Sequence, residues 1–202
     1  MPSAILPKKS RKRYLLGIDE VGRGALAGPM VVAGIIAKKP FGIKNLGLGP
    51  LKDSKKLTPK KREAWFRYFS SHPKISWAVS RVTPRVIDRI NISRAANLAS
   101  LRLVKKLTLG KRAFAYLDGG LALPEHIPYQ AIIRGDEKMK IIAAASIMAK
   151  VTRDRAMVRL HKNEPRYDFH IHKGYGTKLH IQRIRKFGYS PLHRRSFVLK
   201  SG

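Results

Sequence analysis

Five short apolar segments, separated by longer stretches with helical signals, constrain the fold of this chain more than any other feature. Each segment has the length of a buried strand, and Thr-Pro pairs before two of the intervening stretches provide helix starts. The predicted strands are 14–18, 30–37, 75–82, 112–117 and 129–133. The predicted helices are about 58–70, 84–107 with a break near Asn91, 138–161 and 178–187. This order predicts an α/β fold with one mixed sheet flanked by helices.

Charge is the second constraint. The chain has 202 residues, with 43 Lys plus Arg against 12 Asp plus Glu, and a formal net charge of +31. Such a surplus repels itself in the folded state, and a phosphate backbone would relieve that repulsion. The charge therefore predicts a polyanionic partner, and ribosomal RNA, DNA, an RNA/DNA hybrid and an anionic membrane all remain open.

Length and composition exclude several classes of protein. With 44% hydrophobic residues the chain can form a core, and we expect a basic, flexible arm over 1–13 followed by a single domain over 14–202. The last part of that domain is a helical and basic segment. The absence of Cys excludes a disulfide framework and a Cys-ligated zinc site, and it agrees with a cytoplasmic location. No apolar run reaches the ~18 residues that a membrane span needs.

The scarce acidic residues fall at informative positions. Asp19 and Glu20 directly follow the first predicted strand, Asp118 ends the fourth, and Asp136 lies between the fifth strand and the long helix. Side chains at strand ends can converge at one edge of a sheet, and converging carboxylates need a compensating cation. Oxygen ligands without Cys select Mg²⁺ or Mn²⁺. The alternative for Asp136 and Glu137 is a structural role as first-turn acids of a helix.

Two other motifs have competing interpretations. Residues 22–27 match the loose dinucleotide pattern G-x-G-x-x-A, but an apolar strand follows where that pattern requires a helix. We therefore interpret the glycines as positions where backbone N–H groups approach a nucleic acid, with Arg23 nearby. His170, His172 and His180 resemble a metal cluster, yet no complete ligand set accompanies them, and we interpret them as surface or phosphate-facing residues.

Several motifs together resemble type 2 ribonuclease H, specifically bacterial ribonuclease HII. They occur in the order of that family and extend from about residue 14 to residue 198. They are DEVGRG at 19–24, DSKKL at 53–57, LDG at 117–119, GDEK at 135–138, AAASIMAKVTRDR at 143–155, HKGYGT at 172–177 and SPLHRRSF at 190–197. The chain departs from the family at Gly120, where Asn is usual, and at Met139, where Ser is common.

The resemblance implies a ribonuclease H-like fold with a central five-stranded mixed sheet. It also implies hydrolysis of the RNA strand of RNA/DNA hybrids, and cleavage 5′ to single ribonucleotides embedded in duplex DNA. The products would carry a 3′-hydroxyl and a 5′-phosphate. Two divalent cations, Mg²⁺ or Mn²⁺, would lie ~3.5–4 Å apart and serve an in-line displacement.

The resemblance also assigns roles to individual residues. The catalytic and metal-binding residues by matched position are Asp19, Glu20, Asp118 and Asp136. Gly22, Arg23 and Gly24 would read the ribonucleotide 2′-OH, and Tyr175 would pack on the deoxyribose beyond it. The remaining residues expected to bind nucleic acid are Lys55, Lys56, Lys138 and Ser146.

The expected partners are an RNA/DNA hybrid and ribonucleotide-containing duplex DNA, with no membrane and with a monomeric protein. One rival function is that of a noncatalytic nucleic-acid binder, which explains the charge but not the acidic strand ends. Another nuclease of the same fold, such as a type 1 ribonuclease H or a Holliday-junction resolvase, would explain the acids. It would not explain DEVGRG or GYGT.

Overall fold

A computed structural model describes residues 13–43, 47–51 and 54–197 of the chain. The predicted arm lies outside these residues except for Arg13. The described residues contain one five-stranded sheet. Its strands are β1 Tyr14–Val21, β2 Met30–Lys38, β3 Ile75–Val82, β4 Ala113–Asp118 and β5 Tyr129–Ile132.

The sheet is mixed, as predicted, with the strand order β3-β2-β1-β4-β5. The pairs β1–β2 and β2–β3 are antiparallel, whereas β1–β4 and β4–β5 are parallel. In the parallel pair at the centre, Ile18 of β1 lies opposite Leu117 of β4. The next residue of each strand is an aspartate, so the register brings Asp19 and Asp118 to the same sheet edge.

The predicted helices are confirmed, with two differences in detail. The helices are α1 Pro59–Ser71, α2 Pro84–Ile90, α3 Ile92–Leu107, α4 Gly135–Lys138, α5 Lys140–Asn163, α6 Phe169–His172 and α7 Lys178–Phe187. A separate short helix, α4, precedes the long helix that we expected to begin at Lys138. Between the predicted helices 138–161 and 178–187, where we predicted no regular element, the chain forms a 3₁₀ turn at Pro165–Tyr167 and the helix α6.

The break near Asn91 has a local cause. Asn91 has a φ of 63°, in the left-handed region that Asn tolerates better than most residues. Its side-chain oxygen accepts a hydrogen bond from the Arg94 N–H at 3.0 Å. Asn91 therefore ends α2 and caps the start of α3.

Helices cover both faces of the sheet and form two separate cores. Leu16 and Ile18 point toward the face that α3 covers, and Gly17 between them faces α5. Gly17 makes the contact with α5 close, because a Cβ atom there would lie 2.4 Å from the carbonyl oxygen of Ile141. This close approach positions the first turns of α5 across the end of β1, where Asp19 lies.

The C-terminal elements pack against the connection between β1 and β2. Ala27 forms an isolated antiparallel bridge with His193. Ala27 also shares a small core with Met157, Tyr167 and Phe169. Among the described helices, none is both long enough and apolar enough to cross a membrane.

Candidate active site

Three carboxylates converge at the edge of the sheet where β1 and β4 end. One carboxylate oxygen from each of Asp19, Glu20 and Asp118 lies within 4.8 Å of the others. Asp19 is only 5% exposed, whereas Glu20 and Asp118 are partly buried. The structure therefore brings together three of the four acidic residues that the sequence assigned to a metal site.

Burial and mutual repulsion make this cluster costly to ionise. Burial raises the pKa of Asp19 well above its usual value, and the neighbouring charges of Glu20 and Asp118 raise it further. Hydrogen bonds from the Ser146 hydroxyl and from the Glu20 N–H, at 2.7 Å, act in the opposite direction. Burial also raises the pKa of Glu20, although Arg23 opposes that shift.

The donor set fits a hard divalent cation. All the converging atoms are carboxylate oxygens, which Mg²⁺ and Mn²⁺ prefer. The Oε2 atom of Glu20 is buried and has no hydrogen-bond partner among the described residues. A bound cation would satisfy that oxygen and compensate the repulsion that raises the pKa of Asp19.

Asp136, the fourth predicted acid, is linked to this cluster but does not belong to the group of three. It is 8% exposed and lies in the first turn of α4. The preceding Gly135 donates its N–H to Asp118 Oδ1 at 2.7 Å. Glu137 turns away and forms ion pairs with Lys56 and Arg134, at 2.9 and 2.7 Å.

Arg23 connects the acidic cluster to the glycine-rich loop. Its Nε donates to Glu20 Oε1 at 3.0 Å, and its Nη2 donates to the Gly120 carbonyl at 2.7 Å. A Cβ atom at Gly120 would lie 3.2 Å from that Nη2 and 3.3 Å from Glu20 Oε1. The glycine at this departure from the family pattern thus leaves room for Arg23 and Glu20 to pack together.

The two glycines of the loop have different surroundings. Gly22 is buried with a φ of +91°, and a Cβ atom there would lie 2.1 Å from Arg153 Nε. Gly24 is exposed, and a Cβ atom there would have no neighbour within 4 Å. Gly22 is therefore required by packing and backbone conformation, whereas Gly24 faces open space.

Tyr175 lies beside this loop and is half-buried. The Gly174 carbonyl accepts hydrogen bonds from the N–H groups of Leu26 and Ala27, at 2.8 and 3.2 Å. The Arg153 guanidinium lies 5.1 Å from the centroid of the Tyr175 ring. The segment that carries Tyr175 is therefore hydrogen-bonded to the glycine-rich loop that follows Asp19 and Glu20.

The other residues predicted to contact nucleic acid differ in their exposure to solvent. Lys55, Lys56 and Lys138 are exposed, and Lys56 is ion-paired with Glu137. Ser146 is 2% exposed, and its hydroxyl contacts the Ser54 hydroxyl at 2.8 Å as well as Asp19. The structure thus gives Ser146 a protein environment behind Asp19, in contrast to the three exposed lysines.

The interpretation of the histidines as surface residues is wrong for His172 and His180. Both are buried, with their rings stacked 4.2 Å apart, and His180 Nε2 lies 3.1 Å from His193 Nε2. Burial lowers the pKa of His180 and of His193 to about 4. These rings are neutral internal hydrogen-bonding groups, and the sequence could not show this because their partners come from separate segments.

His170 has different neighbours. A ligand atom of His170 lies within 4.8 Å of ligand atoms of His161 and Asp168. Asp168 is ion-paired with Arg183 at 2.7 Å, so its carboxylate is already partly compensated.

Sequence reasoning also missed two buried arginines, Arg153 and Arg194, because arginines in so basic a chain are expected at the surface.

Comparisons with known proteins agree with this geometry. Residues 16–200 match the family described as Ribonuclease HII. Ribonuclease HII of Coxiella burnetii (strain Dugway 5J108-111) is 43% identical over 185 residues, which cover 91% of this chain and 87% of that protein. Ribonuclease HII of Thermotoga petrophila is 42% identical over 182 residues, covering 90% of this chain and 71% of that one.

A solved structure supports the same assignment. The structure of the PCNA:RNase HII complex from Archaeoglobus fulgidus matches this fold with a TM-score of 0.72 and 26% sequence identity. The match covers 93% of this chain and 96% of that chain. The five-stranded mixed sheet is thus the ribonuclease H-like fold that the motifs implied. The chain belongs to the ribonuclease HII family and is an endonuclease of the ribonuclease H type.

Proposed function

We propose that this endonuclease hydrolyses the RNA strand of RNA/DNA hybrids and cuts on the 5′ side of single ribonucleotides embedded in duplex DNA. The products carry a 3′-hydroxyl and a 5′-phosphate. The observation that carries the proposal is the convergence of Asp19, Glu20 and Asp118 beside a glycine-rich loop in which Gly24 is exposed. Family membership supports the reaction class, and the loop supports selection of a ribonucleotide.

The acids would hold two divalent cations, Mg²⁺ or Mn²⁺. Asp19, Glu20 and Asp118 provide the converging oxygens, and Asp136 would complete the set from the start of α4. Cations bound there supply Lewis-acid stabilisation of the charge that develops on a phosphate under attack. Ser146 and the Glu20 N–H hold the Asp19 carboxylate in place from the protein side.

Recognition of the substrate would divide between the loop and the lysines. Phosphate contacts hold a duplex without distinguishing RNA from DNA, whereas the 2′-OH provides that distinction. Gly22, Arg23 and Gly24 would read the 2′-OH, and Tyr175 would pack on the following deoxyribose. Phosphates would contact the exposed lysines at 55, 56 and 138, and Ser146 would approach the substrate only through its contact with Asp19.

The organisation of the chain supports action as a monomer, since all of these groups lie on one chain. We propose that residues 14–202 form a single catalytic domain and that the basic arm over 1–13 adds phosphate contacts. A cytoplasmic location stays a prediction from the sequence.

One assay tests the function against its rivals. The protein is incubated with Mg²⁺ and a DNA duplex that contains one ribonucleotide, and the products are sized and their ends identified. A cut 5′ to the ribonucleotide is expected. Binding without cutting would favour a noncatalytic binder, and cutting of longer hybrids alone would favour a type 1 activity.

A further inference from the structure

Two fully buried arginines lie behind the loop that joins β1 to β2. Arg153 of α5 and Arg194 of the C-terminal segment are both 0% exposed. Neither forms a salt bridge with a carboxylate in the part of the chain that the structure describes. Buried charges are normally paired, because desolvation is costly. These two guanidinium groups therefore need another explanation.

Arg194 binds main-chain carbonyls of that loop. Its Nη1 donates to the carbonyl of Arg23 at 2.8 Å. Its Nε and Nη2 both donate to the carbonyl of Gly28, at 3.2 and 3.1 Å. The backbone N–H of Arg194 donates to the carbonyl of Leu26 at 2.8 Å. A single residue thus holds the loop at three points.

Arg153 holds the same loop at its end. It donates from Nε to the Pro29 carbonyl at 2.9 Å and from Nη2 to the Ala27 carbonyl at 3.2 Å. Together the two arginines bind the carbonyls of residues 23, 26, 27, 28 and 29. These contacts turn most of the loop carbonyls toward the protein interior.

The contact with the Arg23 carbonyl has a direct consequence for Gly24. The carbonyl of one residue and the N–H of the next belong to a planar peptide unit, and in the trans form they point in opposite directions. Because Arg194 holds the Arg23 carbonyl inward, the Gly24 N–H points away from the buried arginines. Gly24 is exposed, so this direction leads toward the surface beside the acids.

The hydrogen bonds of the loop leave this N–H available. The N–H of Ala25 donates to the Gly22 carbonyl, and those of Leu26 and Ala27 donate to the Gly174 carbonyl. Within the described ranges, no acceptor is found for the N–H of Arg23 or of Gly24. The N–H groups of Arg23 and Gly24 are therefore adjacent donors without an internal acceptor, whereas the N–H groups of residues 25–28 are bound within the protein.

We propose that Arg194, supported by Arg153, is a positioning residue that aims the Gly24 N–H at the ribose of the substrate ribonucleotide. This inference rests on the proposed function. A guanidinium suits the role because its planar fork fixes two carbonyls at defined angles, which a lysine ammonium cannot do. Arg153 also packs against Tyr175, so the same pair connects the loop to the residue expected on the neighbouring sugar.

The test compares lysine variants with a matched control. Arg194→Lys and Arg153→Lys keep the positive charge but remove the planar guanidinium group. Arg195→Lys makes the same change at an exposed neighbour. Cleavage of a duplex with one ribonucleotide is measured for each protein as kcat/KM. Affinity for the same duplex made wholly of DNA is measured in an Asp19→Asn background. Hydrogen–deuterium exchange follows the peptide that contains Gly24, and thermal unfolding checks the fold.

For Arg194→Lys we expect kcat/KM to fall by about tenfold to a hundredfold, because small displacements of a positioning group cost that much. Affinity for all-DNA duplex should stay within about twofold, because the exposed phosphate contacts are unchanged. Exchange at Gly24 should become faster, and Arg195→Lys should behave as the wild type.

Other results would overturn the inference in distinguishable ways. Wild-type kcat/KM in folded lysine variants would do so, as would a loss of cleavage with unchanged exchange at Gly24. Failure of both lysine variants to fold would assign the pair to global stability instead. A wild-type protein that does not cut 5′ to the ribonucleotide would overturn the proposed function itself, and this inference with it.

Discussion

Replacing Asp19 by Asn should stabilise the metal-free protein while abolishing cleavage. Asparagine has nearly the same shape, and its Oδ1 can still accept the hydrogen bond from the Glu20 N–H. The substitution removes one of three negative charges whose carboxylate oxygens lie within 4.8 Å of one another. It also removes the cost of ionising a buried carboxyl group.

The size of the effect follows from that distance. Two unit charges 4.8 Å apart repel by ~3.5 kcal/mol at an effective dielectric constant of about 20. The raised pKa of Asp19 lets the wild-type carboxyl avoid part of this repulsion by holding a proton. We therefore expect a gain of roughly 1–2 kcal/mol in the free energy of unfolding, or about 2–8 °C in Tm.

The gain should depend on pH with a defined sign. The pKa of Asp19 is higher in the folded protein than its ordinary value of 3.8, mainly because of burial. The folded wild type therefore binds the proton more tightly and loses stability as the pH rises through the folded-state pKa. The difference between the variant and the wild type should therefore grow as the pH rises and should vanish below the ordinary pKa of 3.8.

Thermal unfolding in EDTA at several pH values measures this difference. Asp154→Asn is the matched control, since Asp154 forms an ion pair with Lys150 at 2.9 Å and its removal should not stabilise the protein. Added Mg²⁺ should raise the Tm of the wild type more than that of Asp19→Asn, because binding to the folded state stabilises it. A lower Tm for Asp19→Asn at pH 8 in EDTA, or full Mg²⁺-dependent cleavage by it, would refute the reasoning.

Three further predictions follow from other parts of the chain. Gly22→Ala should lower both Tm and cleavage, because its Cβ would overlap Arg153 and the backbone φ is positive; wild-type values would contradict this. Removal of residues 1–13 should weaken duplex binding and flatten its salt dependence without moving the cut site, and a shifted cut would show that the arm takes part in recognition. Burial lowers the pKa of His180 and His193 to about 4, so between about pH 6.5 and 4 the unfolded chain binds more protons and stability should fall as the pH falls. His193→Gln should flatten that dependence in urea unfolding, and an unchanged slope would argue against it.

The elements that hold the acids could be predicted from the sequence because their signals are local. Asp19 and Asp118 each end an apolar strand, and strand ends that share a sheet edge lie close together. The position of Asp136 was harder to predict. Its distance from the other acids depends on how α4 begins, and that depends on the contact between Gly135 and Asp118.

The groups that the sequence did not reveal are those whose environment comes from distant segments. Arg194 lies 171 residues after Arg23, whose carbonyl it binds. Nothing in the local sequence distinguishes it from the exposed Arg195. His180 and His193 are similar, since each becomes a buried hydrogen-bond partner only when two C-terminal segments pack together. The burial of these side chains results from long-range packing, which leaves no periodic signal in the sequence.

Only a short segment of chain joins the acids to the glycine-rich loop, and its length limits where a bound strand can be cut. Glu20 and Gly24 are four positions apart in the chain, which corresponds to at most ~14 Å even when the segment is extended. The turn closed by the Ala25 N–H and the Gly22 carbonyl, at 3.4 Å, keeps this segment shorter than that limit. A ribose bound at Gly24 therefore leaves only the nearest phosphates within reach of the acids. The net charge of +31 acts on all phosphates alike. Under the proposed function, this covalent spacing along one strand end would fix the cut beside the ribonucleotide, and we expect the cut site to persist when surface lysines are removed.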